Sequence, residues 1–322
     1  MLNIGLYGAN GHQIHGVLLK RADPRVRLAA VAAFPEKAAA DCCAAGAAVL
    51  PDLDALLARR DVDLVVLCSP RRDQQAADAI RCLEAGRHVY AEKPCALNER
   101  GLDRVLVAAT AADRRFHEMA GTAFGQPYLA MRQVVAAGTL GTVVQVLAQK
   151  SYPLHERRPQ DEGVDGGLLR QAGVHAVRMI EHVAGVRITD VDAVETGLGN
   201  RVAGGGLRIA ASLMMRLANG GVASMVANYL NPPAFGSWGN EMLRLFGTAG
   251  MIEATDGGTR TRLVLHDRDA GPLDVSATGL DWFTAMVDEI VDGKPMPLSL
   301  DDELHPTRVV IRAKANAECR RP

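Results

Sequence analysis

What this chain lacks removes several classes of function. No apolar run approaches the length needed to cross a bilayer, so no membrane-spanning helix is expected. Net charge is nearly absent, at −1 from 36 basic and 37 acidic residues. Bulk electrostatics therefore recommends neither nucleic acid nor a membrane surface as a partner. Lysine is rare: six of the 36 basic residues, at Lys20, Lys37, Lys93, Lys150, Lys294 and Lys314. In a chain that defaults to arginine, a lysine at a strand rim points to a need for its titratable amine. The six cysteines (Cys42, Cys43, Cys68, Cys82, Cys95 and Cys319) show no metal-ligand spacing, and adjacent Cys42 and Cys43 make a poor disulfide framework. No metal is expected. The sequence opens directly on a strand-like run, Met1 to Tyr7, without a basic segment and apolar core of the secretory kind. A reducing cytoplasm is the expected compartment.

What is present has a clear rhythm. A length of 322 residues suits two domains. Across residues 1–120, short apolar runs (3–8, 27–33, 47–50, 63–68, 88–91 and 115–120) alternate with helical patterns at 35–45, 52–60, 72–86 and 98–113. That alternation implies an α/β domain with a doubly wound parallel sheet. From residue 121 the order changes. A helix at 128–137 precedes a strand at 142–150, a polar loop at 151–166 and a helix at 167–184. Closely spaced strands follow at 189–196, 207–217, 221–229, 241–247, 251–254 and 260–266, then helices at 279–293 and 301–318. Residues 121–322 thus read as a second α/β domain, with a mostly antiparallel open sheet carrying helices on one face.

Four stretches carry chemistry. The first, Gly5-Leu6-Tyr7-Gly8-Ala9-Asn10-Gly11-His12-Gln13, follows a strand and opens a helix, the context of a phosphate-cradling turn. Its glycine spacing is irregular. Asn10 and Gln13 stand where glycines are expected, and Asn10 tolerates the positive φ such a turn requires. The second, Ala33-Phe34-Pro35-Glu36-Lys37, ends the second strand without an acid for a ribose hydroxyl pair, so NAD and NADP both stay open. The third, Ser69-Pro70-Arg71-Arg72, lies at the rim beside the cofactor. At least one of its arginines is expected to be merely a solvated helix start. The fourth, Glu92-Lys93-Pro94, ends the fifth apolar run in an acid, a base and a proline that restricts the lysine to extended backbone. An arbitrary Glu-Lys-Pro is a strand end with a solvated ion pair; here the surrounding rhythm places it at a binding rim. Further on, Gln171 and His175 are four apart and would share a helical face.

Together these features resemble the Gfo/Idh/MocA family of NAD(P)-dependent oxidoreductases over nearly the whole chain. The resemblance rests on Gly8 and Gly11, Pro70, and Glu84-Ala85-Gly86-Arg87-His88-Val89 running into Glu92-Lys93-Pro94. It also includes Gly138-Thr139-Leu140-Gly141, Gly173-Val174-His175 and Leu245-Phe246-Gly247-Thr248-Ala249-Gly250. It implies a Rossmann domain, then an α/β domain whose open sheet forms a homodimer or homotetramer. It further implies that Lys93 bonds the reacting hydroxyl, that the Lys93–Pro94 peptide can be cis, and that His175 is the general acid/base or the proton partner of Lys93. Typical substrates are sugars, inositols and related polyols. Departures stand beside the match. Gln171 and Arg178 replace common aspartates around the histidine, Gln74 replaces a histidine after the strand-four proline, and Thr122-Ala123-Phe124 replaces polar residues after the sixth strand.

The expected function is hydride transfer between a nicotinamide cofactor and a secondary alcohol or ketone of a small polar substrate. Lys93, His175 and Gln171 would be catalytic. Gly8, Asn10, Gly11, His12, Gln13, Ala33, Phe34, Ser69, Pro70, Arg71, Glu92 and Lys93 would hold NAD or NADP. Tyr152, His155, Arg157, Arg158, Tyr229 and Trp238 would meet the substrate. A second reading is a dinucleotide-binding sensor or regulator without turnover, motivated by the lost acids. A third is transient oxidation that permits bond cleavage in a sugar.

Overall fold

Strand β1 (Leu2–Tyr7) pairs in parallel with a strand on either side and is almost wholly buried. Around it stand β2 (Val26–Ala32), β3 (Ala48–Leu50), β4 (Leu64–Leu67), β5 (His88–Ala91) and β6 (Phe116–Glu118). Their order is β3-β2-β1-β4-β5-β6, every pair parallel. Strands buried on both faces need continuous apolar runs, and Leu64-Val65-Val66-Leu67 is fully buried. Helices α1 (His15–Leu18), α2 (Glu36–Ala44), α3 (Leu53–Leu57), α4 (Gln75–Glu84) and α5 (Glu99–Ala112) supply the crossovers. Each element but α1 falls within a few residues of its sequence pattern. The helix that the glycine turn opens, α1, is a single turn. Past α4, Gly86 adopts φ +78°, the left-handed stop that glycine tolerates without strain.

The computed structural model describes residues 1–20 and 23–320. They form two compact units. The first comprises Met1–Met119 with Gly163–Gly166 and Trp282–Leu304, the second Ala120–Glu162, Gly167–Asp281 and His305 to the end of the chain.

In the second unit, helix α6 (Tyr128–Ala136) precedes an eight-stranded sheet: β7 (Val143–Ser151), β8 (Ile188–Thr196), β9 (Ala210–Leu217), β10 (Val222–Asn228), β11 (Asn240–Gly247), β12 (Gly250–Thr255), β13 (Arg260–Leu265) and β14 (Asp269–Gly271). The order is β14-β13-β12-β11-β7-β10-β9-β8, and only β7 and β10 run parallel. Period-two burial along β9 and β10 puts Leu213, Met215, Ala223 and Met225 on a buried face and Met214, Val222 and Val226 outside. Helical residues Leu168–Val183 cover the buried face, and a side chain at Gly173 would reach 3.5 Å from Met225. Each fully buried aliphatic side chain here contributes about 1.5–3 kcal/mol.

Three details depart from the sequence patterns. Residues 151–166, expected as a loop, include a helical turn at Glu162–Asp165. The helix expected at 167–184 is π-wound over Leu168–Gly173 and Met179–Val183, with α geometry only at Val174–Arg178. Strand β14 was not expected, because three residues without apolar alternation leave no periodic signal.

Candidate functional site

In the first unit the candidate groups follow the carboxyl ends of β1, β2, β4 and β5, around the point between β1 and β4 where the strand order reverses. A doubly wound sheet opens its ligand crevice there. The turn after β1 depends on two glycines. Gly8 has φ +67°, and a Cβ on it would lie 2.1 Å from the Cys68 carbonyl oxygen; Gly11 has φ +113°, and a Cβ there would lie 2.8 Å from the Glu92 carboxylate. The side chains at the irregular positions complete the turn. Gln13 donates from Nε2 to the Gly8 carbonyl at 2.9 Å and accepts the Ile14 N–H at 2.9 Å. Asn10 donates from Nδ2 to the carbonyls of Pro70 (3.2 Å) and Val164 (2.6 Å).

Glu92 and Lys93 are each 1% exposed, so the solvated ion pair ordinary for this tripeptide is not what forms. Lys93 Nζ stands 3.9 Å from Glu92 Oε1. The same carboxylate accepts the His12 backbone N–H at 3.2 Å and contacts His12 Nδ1 at 2.9 Å. Burial pushes the Glu92 carboxyl up; the His12 hydrogen bond and the charges of Lys93, His12 and Arg72 outweigh it and hold the pKa below its usual value. The Lys93–Pro94 peptide is cis. Cys95 is fully buried, and its N–H bonds Glu118 Oε1 at 2.6 Å.

A support that sequence reasoning missed lies beneath this segment. Buried Gln75 donates from Nε2 to the carbonyls of Glu92 (2.5 Å) and Pro94 (3.2 Å), on either side of Lys93. Its Oε1 accepts from Ser69 N–H and from Arg72 Nη1, and Arg72 Nη2 reaches the Asn10 carbonyl at 2.7 Å. One network therefore ties the glycine turn to the lysine loop. Gln74, singled out from the sequence, is exposed; the inward side chain is its neighbour. Of the two arginines after Pro70, Arg71 is the surface one, paired with Asp73 at 2.7 Å, and Arg72 is 2% exposed. Ser69 is buried, and its hydroxyl donates to Asp78 at 2.8 Å. At the end of β2, Ala33 takes φ +52° and Phe34 meets the His15 ring edge-on at 5.6 Å. Neither carries a carboxylate, and Glu36 and Lys37 are both exposed. This end of the sheet favours neither NAD nor NADP. The glycine turn, at the reversal of a β3-β2-β1-β4-β5-β6 sheet, fits the pyrophosphate of either.

In the second unit, Gln171 and His175 are the partly exposed positions in a run, 171–180, whose other members are all buried. Both residues are partly exposed, although Gln171 Oε1 and His175 Nε2 are themselves buried, and the π winding upstream is a distortion frequent at functional sites. His175 Nδ1 lies 3.0 Å from Thr122 Oγ1, which fixes the ring's orientation. Thr122 had been noted only as a departure. Arg178 is fully buried. Tyr152 is buried with Lys150 Nζ 4.6 Å above its ring, and the Arg158 guanidinium lies 3.6 Å from the centre of buried Tyr229. His155 and exposed Trp238 stack nearby, while Arg157 is exposed. Burial first, then the charges of Arg158 and Arg157, lower the His155 pKa. Among the described residues no group of His, Cys, Asp and Glu could hold a metal ion, and no helix is long and apolar enough to cross a membrane.

Comparison with known proteins agrees with this architecture. Residues 2–119 match the oxidoreductase family with an NAD-binding Rossmann fold. Residues 128–253 match the GFO/IDH/MocA C-terminal domain, so the chain belongs to the Gfo/Idh/MocA family. It is 34% identical over 171 residues to a dTDP-3,4-didehydro-2,6-dideoxy-alpha-D-glucose 3-reductase of Streptomyces violaceoruber, covering 51% of this chain and 48% of that one. It is 29% identical over 184 residues to an inositol 2-dehydrogenase of Rhizobium meliloti, covering 55% and 53%. The chain thus spans about half the length of these curated relatives. The solved aldose-aldose oxidoreductase of Caulobacter crescentus shares the fold at a TM-score of 0.83 and 20% identity, over 99% of this chain and 98% of that one.

Proposed function

We propose that the chain is an NAD(P)-dependent oxidoreductase moving a hydride between the nicotinamide and a secondary alcohol or ketone of a sugar, inositol or related polyol. The bound dinucleotide supplies the hydride acceptor or donor. The chain's own residues supply position and proton handling. Lys93 holds the reacting oxygen by a hydrogen bond, His175 takes or returns its proton, and Gln171 orients a neighbouring hydroxyl. His12, Gln13 and Asn10 shape the cofactor turn; Ser69 and Glu92 act from below it rather than through direct exposure.

One observation carries this reading: a rare lysine, buried at the carboxyl end of β5, with its backbone carbonyl neighbours pinned by Gln75 and that pin joined to the glycine turn. Such burial and fixation of a lysine serve chemistry better than solubility. The reductase and dehydrogenase relatives named above act, by their names, on a sugar and on inositol, which supports the substrate class. The test is reduced-nicotinamide formation against a polyol panel with NAD and with NADP. Lys93→Ala should lose about a hundredfold or more in turnover while still binding dinucleotide. Equal turnover by wild type and variant would sink the role of Lys93, and binding without turnover on any compound would restore the sensor reading.

The outer face of the second unit's sheet exposes Val144, Val194, Met214, Val222 and Val226. This apolar stripe supports a homodimer or homotetramer through that sheet. All six cysteines are free thiols, in keeping with a reducing cytoplasm.

A further inference from the structure

At one end of the second unit's sheet, aromatic rings gather. Ser151 pairs with Asn228 on one side and Asn240 on the other, so the residues beyond β7 and β10 and before β11 leave the sheet at the same place. Tyr152, Tyr229 and Trp238 are those residues. The Trp238 ring lies 6.0 Å from that of Tyr152 and 5.6 Å from that of His155, tilted by 42° and 39°. Tyr152 and Tyr229 are buried, whereas Trp238 is 58% exposed. The only other tryptophan, Trp282, is in the core.

The exposed indole is held firmly. Buried Asn231 donates from Nδ2 to the carbonyls of Ser237 (2.9 Å) and Trp238 (3.2 Å), and its own N–H bonds the Tyr152 carbonyl at 3.1 Å. The Ser237 hydroxyl donates to the Gly239 carbonyl at 2.7 Å. The backbone on both sides of Trp238 is thus fastened to the sheet end. A ligand settling on the ring has little loop entropy left to overcome.

We propose that Trp238, flanked by His155 and Tyr152, is a stacking platform for the apolar face of a ring-shaped polyol, so that substrate binds as a closed ring and not as an open chain. This rests on the sugar or cyclitol oxidoreductase reading and narrows it. A six-membered polyol ring with equatorial hydroxyls turns a patch of C–H bonds to one side, and these meet the electron-rich face of an indole. An open-chain polyol must first freeze several torsions to present the same patch. The Arg158 guanidinium, 5.8 Å from the Tyr152 ring and 3.6 Å from that of Tyr229, stiffens the Tyr152 side of the platform.

The two-tryptophan composition makes the test direct. Full-length protein loaded with dinucleotide is titrated with myo-inositol, methyl glucoside and open-chain sorbitol while tryptophan emission is read. Trp238→Phe, which leaves Trp282 alone, assigns the signal. Ring compounds should change the emission of wild type and not of Trp238→Phe, and sorbitol should need about tenfold more for any response. Trp238→Ala should raise KM for ring compounds about tenfold, and more than it lowers kcat; Trp238→Phe, keeping a ring, should recover most of that loss. Sorbitol equal to the rings, or no Trp238 response to any ring compound, overturns the proposal. So does emission that follows protein concentration alone, which would mark a second copy of the chain as the occupant. Turnover read in parallel separates the two claims. A ring response without hydride transfer keeps the platform and rejects the oxidoreductase, and turnover without a Trp238 response does the reverse.

Discussion

The side-chain amide of Gln75 donates to the carbonyl oxygen of Glu92 at 2.5 Å and to that of Pro94 at 3.2 Å, so one residue spans the lysine between them. Gln75→Leu fills nearly the same volume but leaves both carbonyls without that donor and Arg72 Nη1 without its acceptor. An unsatisfied buried polar group costs about 1–3 kcal/mol, so the variant should lose roughly 3 kcal/mol, read from its denaturation midpoint. Turnover should fall further than stability explains, with dinucleotide affinity nearly retained. A variant that is destabilised yet turns over normally would show that Gln75 supports the fold and not Lys93.

Gly11 yields a second prediction. Its φ of +113° suits glycine alone, and an added Cβ would meet the Glu92 carboxylate at 2.8 Å. Gly11→Ala should therefore displace Glu92 and the His12 N–H it holds, weakening NAD and NADP binding at least about tenfold by calorimetric titration. Unchanged affinity would remove the turn from the cofactor site.

The sequence made the scaffold readable wherever a period governs it. Strand His88–Ala91 sits where its apolar run predicts, and β9 alternates residue by residue. The π winding around Gln171 stayed hidden, because apolar spacing barely separates a turn of four from a turn of five. Gln75 and Thr122 were hidden for another reason. Their partners lie 17 and 53 residues away, and nothing local distinguishes an inward polar residue from a solvated one. Which of Arg71 and Arg72 turns inward was hidden for the same reason: the Arg72 guanidinium bonds the Asn10 carbonyl across 62 residues. Placement that follows from backbone direction, as for Lys93-Pro94 at the end of β5, was legible. Chemistry that follows from tertiary partners was not.

Thr122 offers a test confined to one hydroxyl. Its Oγ1 is 3.0 Å from His175 Nδ1 and sets which way the ring and its proton face. Thr122→Val keeps the shape and deletes the bond. A neutral hydrogen bond contributes about 0.5–1.5 kcal/mol, so kcat should drop up to about tenfold while KM and the unfolding midpoint move little. Serine at this position should recover the activity. Unaltered kcat would leave Thr122 as packing.

His117 supplies a prediction with a defined pH window. Its ring is buried, with Nδ1 2.7 Å from Glu303 and Nε2 2.8 Å from Glu289. Burial lowers its pKa, but the two carboxylates more than compensate and lift it to about 9. Glu289 is correspondingly held below the usual carboxylate range, while burial raises Glu303. A histidine raised in the folded state stabilises fully below its unfolded pKa near 6.5 and loses that contribution as pH rises through the folded value. Wild type should thus shed about 3 kcal/mol between pH 6.5 and pH 9 or slightly above. His117→Gln, which cannot titrate, should be less stable at pH 6.5 and show a much flatter profile over that window. Unfolding free energies from denaturant melts at several pH values decide it, and parallel profiles for the two proteins would mean that His117 is neutral in the fold.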